Sequence, residues 1–309
     1  MHINGFELTC PRCGLALSLS NTGEARCPSQ GDVYLCIDGI WRFLLSERKA
    51  HFSVFMDEYQ LIRQAEGRGS ADPEYYRLLP YKDLTGRMSG DWRIRASSFR
   101  VFLRKVLQPM ERSIGKPLKC LDMGAGNAWL SNRLAQRGHL VAAIDLLTND
   151  WDGLGAHLQY EATLLPVQAE FDRLPFEIQQ CDLVIFNASL HYSPAYTKTL
   201  KEAKRVLKPG GKIIVLDTPV YHSPESGQQM VEERQARFMN LYGFPSNALP
   251  SENFLTYARI DQLSQWLGVQ WRAFKPYYGL SWSLRPWIAK MTGRREPAEF
   301  FVLVLGSSD

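Results

Sequence analysis

Long apolar runs are missing from this sequence: no stretch approaches the twenty or so residues that an α-helix needs to cross a bilayer, so no transmembrane segment is expected. The first ten residues, Met1 to Cys10, also hold no basic segment followed by an apolar run. No secretory leader is therefore expected, and the reading is cytoplasmic. An excess of one charge is lacking too. The 36 Lys and Arg against 32 Asp and Glu leave a net charge of +4, which neither demands nucleic acid nor excludes it. Cysteine is sparse, with six in 309 residues, and in that compartment these read as free thiols or metal thiolates rather than disulfides. A chain of this length with 45% hydrophobic residues can bury a full core, with room for one catalytic domain and an accessory module.

The run from Cys120 to Trp129 is the most informative stretch present. It ends a short apolar strand in Asp122 and then turns through Gly124-Ala125-Gly126-Asn127. A helical segment, Leu130 to Arg137, follows and stops at Gly138, so the glycines stand at a strand-to-helix turn where a ligand can approach bare backbone. About twenty residues on, a second strand, Leu140 to Ile144, ends in Asp145, whose carboxylate can accept from two ribose hydroxyls. The third glycine of a dinucleotide-binding turn is absent, because position 129 is Trp. Asp122 would also repel a phosphate, whereas it could receive an ammonium group.

Downstream come Leu174-Pro175-Phe176, the strand Cys181 to Phe186, the helix Thr197 to Leu207, the turn Lys208 to Gly211 and the strand Lys212 to Asp217. Strands alternating with helices at this spacing predict a parallel sheet with helices on both faces. Together, Lys119 to Asp217 resemble the class I methyltransferases that use S-adenosylmethionine (SAM), in particular the small-molecule enzymes related to quinone C-methyltransferases. The resemblance covers about a third of the chain strongly. It implies an α/β fold, a doubly wound, seven-stranded Rossmann-like sheet, with SAM at the carboxyl edge of the strands. The residues it places there are Asp122, Gly124, Ala125, Gly126, Asn127, Asp145, Leu146, Glu170, Phe171 and Asn187. Glu170, or backbone beside it, would receive the adenine amino group. Phe171 either stacks on the ring or packs in the core.

Cys10, Cys13, Cys27 and Cys36 crowd the N-terminus, and Cys10-Pro-Arg-Cys13-Gly is a knuckle that can wrap one metal ion. Cys27-Pro-Ser-Gln30-Gly has the form of a second knuckle, with Gln30 where a ligand would stand, so Cys36 is the candidate for completing the tetrahedron. The segment Tyr34 to Leu44 resembles the Asp-Gly-Ile hairpin of zinc ribbons attached to certain RNA methyltransferases. A structural zinc is expected, against a metal-free ribbon held by its hairpin. Cys120 and Cys181 open apolar strands and read as small buried hydrophobes. The expected organisation is a zinc-ribbon-like module over 1–49, a helical lid over 50–116 and the methyltransferase domain over 117–309.

Within the lid, Phe99, Phe102, Val106 and Leu107 recur at helical spacing until Pro109. Arg93, Arg95, Arg100, Arg104 and Lys105 read as a solvated basic face. The resemblance adds that Tyr75, Tyr76, Tyr81 and Arg95 lie where related enzymes carry a lid, from which an arginine can pair with the SAM carboxylate. After the fourth strand comes Asn187-Ala-Ser-Leu-His191-Tyr192, and Tyr221 follows the fifth. His191, Tyr192 and Tyr221 are therefore the substrate-pocket candidates, with His191 either packed structurally or acting as a general base. Asn-Ala-Ser-Leu lacks the prolines that amino-group methyltransferases of adenine or glutamine carry at that point, which favours oxygen or carbon acceptors.

Thr256 to Leu267 reads as a capped helix closed by Gly268, and Val269 to Phe274 with Phe300 to Leu305 as the final antiparallel pair. Between them, Trp282, Trp287, Ile288 and Met291 either cap an apolar substrate or belong to a surface hairpin, and Lys290, Arg294 and Arg295 could meet an anionic group or a membrane surface. The leading expectation is methyl transfer to a small, lipophilic metabolite. An RNA acceptor recruited through the ribbon, and a non-enzymatic SAM-binding interaction protein, are the alternatives.

Overall fold

In the computed structural model, which describes residues 1–20 and 23–306, the apolar runs align into one large mixed sheet. Its strands are β1 (Cys36–Ile37), β2 (Ile40–Arg42), β3 (Lys119–Met123), β4 (Leu140–Asp145), β5 (Leu165–Gln168), β6 (Cys181–Asn187), β7 (Leu207–Leu216), β8 (Gln270–Phe274) and β9 (Val302–Gly306). They lie in the order β8-β9-β7-β6-β3-β4-β5-β2-β1. From β5 through β7 the pairs are parallel, and β9 and β8 close that end antiparallel. The seven strands from β8 to β5 are the expected set. The sheet reverses direction of growth beside β3, where the chain crosses to β6, and open α/β sheets bind ligands at such a switch point.

Strands β3, β4 and β6 are apolar along almost their whole length because both faces are covered. Leu121, Met123, Val184 and Phe186 face one core, and Cys120, Leu183 and Ile185 face the other, the period-2 alternation of a strand. Cys120 and Cys181 are fully buried, as expected. The turn at Pro209 to Gly211 is absorbed into β7 as a register irregularity against Cys181 and Leu183.

The N-terminal segment continues the sheet. Asp38 and Gly39 take positive φ, +52° and +75°, the backbone of a type I′ hairpin, and fold β1 onto β2. Strand β2 then pairs in parallel with β5, Trp41 opposite Val167, so the sheet has nine strands among the described residues rather than seven. Phe6 packs edge-on against Phe176 at 5.6 Å, and the Gln180 side chain both accepts from and donates to the Glu7 backbone. Phe6, Leu8, Tyr34 and Phe43 thereby share one hydrophobic core with Phe176 and Phe186.

The lid begins four residues earlier than expected, with α1 (Ser46–Ala65). Helix α2 (Ser89–Phe102) buries Trp92, Phe99 and Phe102 and exposes Arg93 and Arg100. The chain stays helical after α2 through a π-helical turn, Leu103–Leu107, and on through Gln108–Ile114, so Pro109 does not end the run, which stops at Gly115 with φ +65°. Trp129 opens α3 (Trp129–Ala135), and its indole meets Trp92 and Phe99 edge-on, filling the space between α2 and the sheet. Close helix packing thus uses a large ring where a dinucleotide fold uses glycine.

Helices α4 (Tyr196–Val206), α5 (Pro224–Tyr242) and α6 (Tyr257–Leu267) follow. As expected, Thr256 caps α6 by accepting from Arg259 N–H, and Gly268 ends it at φ +68°. The segment after β8 is a helix, α7 (Leu280–Met291), rather than a hairpin, and Trp287, Ile288 and Met291 on it are exposed. Among the described residues, no helix is long and apolar enough to cross a membrane.

Candidate functional site

The turn after β3 is tied to the end of β4. Gly124 and Ala125 N–H both donate to Ile144 O, and Gly126 N–H donates to Asp145 Oδ2 at 2.8 Å. Leu147 N–H donates to the other Asp145 oxygen at 2.8 Å. Asp145 is therefore held by backbone on both oxygens, each with a lone pair left over. Its pKa is raised by burial, which these amides partly oppose. Gly124 is required on two counts: φ is +73°, and a Cβ would come 2.5 Å from Cβ of Ser189.

A cavity of about 1050 Å³ opens at this edge. The residues from Gly124 to Asn127, with Asp145 and Leu146, form its floor, and Glu170, Phe171 and Asn187 line its far side. Of the expected cofactor residues only Asp122 is not at the cavity. Its Oδ2 accepts from Ser131 N–H and Oγ, pinning the first turn of α3, while Oδ1 is sealed without a partner. Burial pushes its pKa up to about 7, with the Ser131 bonds pulling the other way. Asp122 is thus a buried helix anchor and not a wall of the pocket.

Helix α1 roofs the cavity. Arg48, Phe52, Phe55, Tyr59 and Arg63 line it at the spacing of one helical face. Near the start of α1, Arg48 binds Glu170 through two nitrogens at 2.7–3.0 Å. Near its end, Arg63 binds Asp152 at 2.5 Å. Both carboxylates are nearly sealed from water, with side chains 7% and 5% exposed. Glu170 is therefore first of all the receptor for the roof. Nothing in residues 1–49 or 50–116 read separately points to this face, because the expected boundary cuts α1 after its first turn. Reading 46–65 as one helix exposes the spacing.

Of the other lid candidates, only Arg95 reaches the cavity. Tyr76 is buried and donates to Trp151 O, Tyr75 packs against it, and Tyr81 lies outside against Phe99. Arg95 has no hydrogen-bond or carboxylate partner among the described residues; its guanidinium lies over Trp92 at 4.9 Å. A half-buried cation of this kind, aimed into a pocket, fits an anionic ligand group.

The three substrate-pocket candidates separate. Tyr192 lines the cavity and meets Tyr59 edge-on at 5.7 Å. His191 does not line it; its Nδ1 is sealed without a partner, and burial, then the positive fields of Arg234 and Arg95, push its pKa down to about 3. A histidine held neutral there is a poor proton acceptor, which favours packing over general base. Tyr221 lies away from the cavity, packed on Phe254 with its hydroxyl accepting from Arg295 at 3.4 Å. Trp282, Trp287, Ile288 and Met291 are also absent from its walls.

In the N-terminal segment, the sulfurs of Cys10, Cys13 and Cys27 lie within 4.8 Å of one another. Cys36 is not with them: it sits exposed on β1, paired opposite Trp41, because the hairpin commits it to the sheet edge. Gln30 N–H donates to Cys27 Sγ, and the Tyr34 hydroxyl lies 3.2 Å from Cys10 Sγ. Tyr34 is a neighbour of the cluster that thiol spacing alone does not reveal. Three converging thiols fit a zinc ion with one position left open. The knuckle also touches the roof, since Arg12 pairs with Asp32 and with Glu47 in the first turn of α1.

Comparison with known proteins agrees with this geometry. Residues 121–215 match the family model described as a methyltransferase domain. Residues 121–215 are a methyltransferase domain. A sterol 4-C-methyltransferase of Caenorhabditis elegans is 32% identical over 108 residues, 34% of this chain and 32% of that protein. A demethylmenaquinone methyltransferase of Staphylococcus saprophyticus is 31% identical over 122 residues, 38% of this chain and 52% of that protein. The chain thus matches about a third to a half of the length of these relatives. A structure from Galdieria sulphuraria, solved as a candidate sarcosine dimethylglycine methyltransferase, has a TM-score of 0.51 at 15% identity and covers 81% of this chain and 98% of that one. That likeness supports the fold of the methyltransferase domain.

The buried carboxyl of Asp122 makes stability depend on pH. An aspartate in the unfolded chain titrates near 3.9, roughly three units below the folded value of about 7. The folded state therefore holds the proton more tightly, and the stability this gives is present below about pH 4 and lost as pH rises through about 7. Asp122→Asn, which keeps an oxygen for Ser131, is expected to remove that loss. Urea unfolding at a series of pH values should show wild type falling relative to the variant between about pH 4 and 7. Parallel stability curves would contradict the assignment.

Proposed function

We propose that this chain transfers the methyl group of SAM to an oxygen or carbon atom of a small, apolar-bodied metabolite. The observation that carries the reading is the roofed cavity at the carboxyl edge of β3, β4 and β6, with a glycine turn, a backbone-held carboxylate and an unpaired arginine around one space. The donor set suits SAM: Asp145 for the ribose hydroxyls, Phe171 and the backbone near Glu170 for the adenine, and Arg95 for the methionine carboxylate. SAM supplies an activated methyl on a sulfonium whose departure leaves a neutral thioether, so the protein's task is alignment in a site screened from water. Phe55, Tyr59 and Tyr192 stand around the space where an acceptor would meet that methyl, and aromatic faces favour a sulfonium much as they favour other cations. A neutral, sealed His191 fits an acceptor that needs no histidine base. The roof formed by α1 supports a small acceptor over an RNA strand, and the names of the relatives, sterol and quinone methyltransferases, agree with an apolar body.

We further infer that Cys10, Cys13 and Cys27 hold a zinc ion whose role is to brace the N-terminal segment against the sheet and α1. Gln30, Tyr34 or water would take the fourth position.

Two measurements test these readings. Asp145→Ala should weaken SAM binding by about 1.5–3 kcal/mol, the range for hydrogen bonds to a charged group, in a protein that still melts cooperatively. Unchanged affinity by calorimetry would remove Asp145 from the cofactor site. Elemental analysis of purified protein should find about one zinc per chain, kept in Cys36→Ser and lost in Cys27→Ser. Zinc that leaves with Cys36, or zinc absent from protein never exposed to chelator, would overturn the three-thiolate site.

A further inference from the structure

A second cavity, of about 600 Å³, adjoins the first between α1, α5 and the segment 246–253. Phe55, Tyr59, Arg63, Tyr192 and Leu249 line both, so the aromatic cluster of Phe55, Tyr59 and Tyr192 is the partition between them. Beyond the partition the walls are apolar at Ile62 and Phe238, carry Glu66 neutralised by its pair with Arg68, and are cationic at Arg234.

Arg234 differs from the other arginines here. Arg63 is matched by Asp152, and Arg68 by Glu66 and Asp91. Arg234 donates one nitrogen to the neutral Asn253 side chain at 2.5 Å; its Nε is sealed without a partner, and no carboxylate pairs with it among the described residues. Arg95, the unpaired guanidinium of the first cavity, does not line the second. A partly desolvated cation without a counter-charge is costly to hold, and its planar fork matches a carboxylate. Its positive field also reaches His191, which precedes Tyr192 of the partition.

We propose that this second cavity receives the methyl acceptor, and that the acceptor is an organic anion whose carboxylate-type group is held by Arg234 while its apolar body lies against Phe55, Ile62, Phe238 and Leu249. The inference rests on the methyl-transfer reading for its link to the first cavity. It narrows the substrate class to amphiphilic anions and assigns Arg234 as a specificity residue.

The test compares two probes that share a phenylbutyl body and differ in the head group, the anionic 4-phenylbutyrate and the neutral 4-phenylbutanol, titrated at pH 8 into the full-length protein with and without S-adenosylhomocysteine. Saturation with that product occupies Arg95, so any remaining preference for the anion belongs to the second cavity. The acid is expected to bind at least about tenfold more tightly than the alcohol, the worth of a charge-assisted hydrogen bond. Arg234→Gln should abolish the preference while leaving the alcohol and S-adenosylhomocysteine bound as before, and Arg234→Lys should retain most of it. Equal binding of acid and alcohol to wild type, or a preference that survives Arg234→Gln, would overturn the proposal. Failure of S-adenosylhomocysteine to bind would instead count against the cofactor reading, and the probe comparison on the free protein would still decide the role of Arg234.

Discussion

Two ion pairs hold α1 in place. Arg48 with Glu170 and Arg63 with Asp152 clasp the helix at points fifteen residues apart, about 22 Å along its axis, and the cavity lies between them. Both carboxylates are buried, so losing one arginine would leave a charge stranded in a dry site, a change that typically costs about 3–5 kcal/mol. The placement of α1 has two consequences. It roofs the strand edge, making a partly screened pocket in which electrostatic interactions are stronger than in open water, and it presents Phe55 and Tyr59 as a partition toward a second cavity.

The N-terminal segment supports the same arrangement from the other side. Its hairpin adds two strands to the sheet at β5, and its knuckle carries Arg12 to Glu47, one residue before Arg48. The Arg12 pair is half-exposed and weak alone. Its value lies in fixing where α1 starts, after the hairpin has fixed the sheet edge and Phe6 has joined the core beside Phe176. A segment that looks like an accessory ribbon in the sequence is thus continuous in structure with the roof of the cavity.

Much of the domain is legible in the sequence because its parallel strands are buried on both faces and read as apolar runs, and because Gly124, Gly126 and Asp145 answer local backbone needs. The capped helix at Thr256 is visible for the same reason. Where the reading fails, the cause is tertiary. Asp122 looks like a ligand by its place before the turn, but its side chain is taken by Ser131. Cys36 looks like a fourth thiolate by count, but the hairpin register carries it to the sheet edge. Tyr221 follows a central strand yet turns away to Phe254. Arg48, Arg63 and Arg234 have no motif around them, and their roles arise only when α1 and α5 are brought over the strand ends.

Hydrogen exchange of the free and S-adenosylhomocysteine-bound protein, followed by mass spectrometry, tests most directly that the cofactor lies beneath α1. The account predicts that amides of residues 46–65 are already protected in the free protein, and that the bound product slows exchange at 124–127, at 145–147 and along α1 together. Exchange of 46–65 at the rate of an open chain in both states, or protection by the product confined to other parts of the sheet edge, would contradict it.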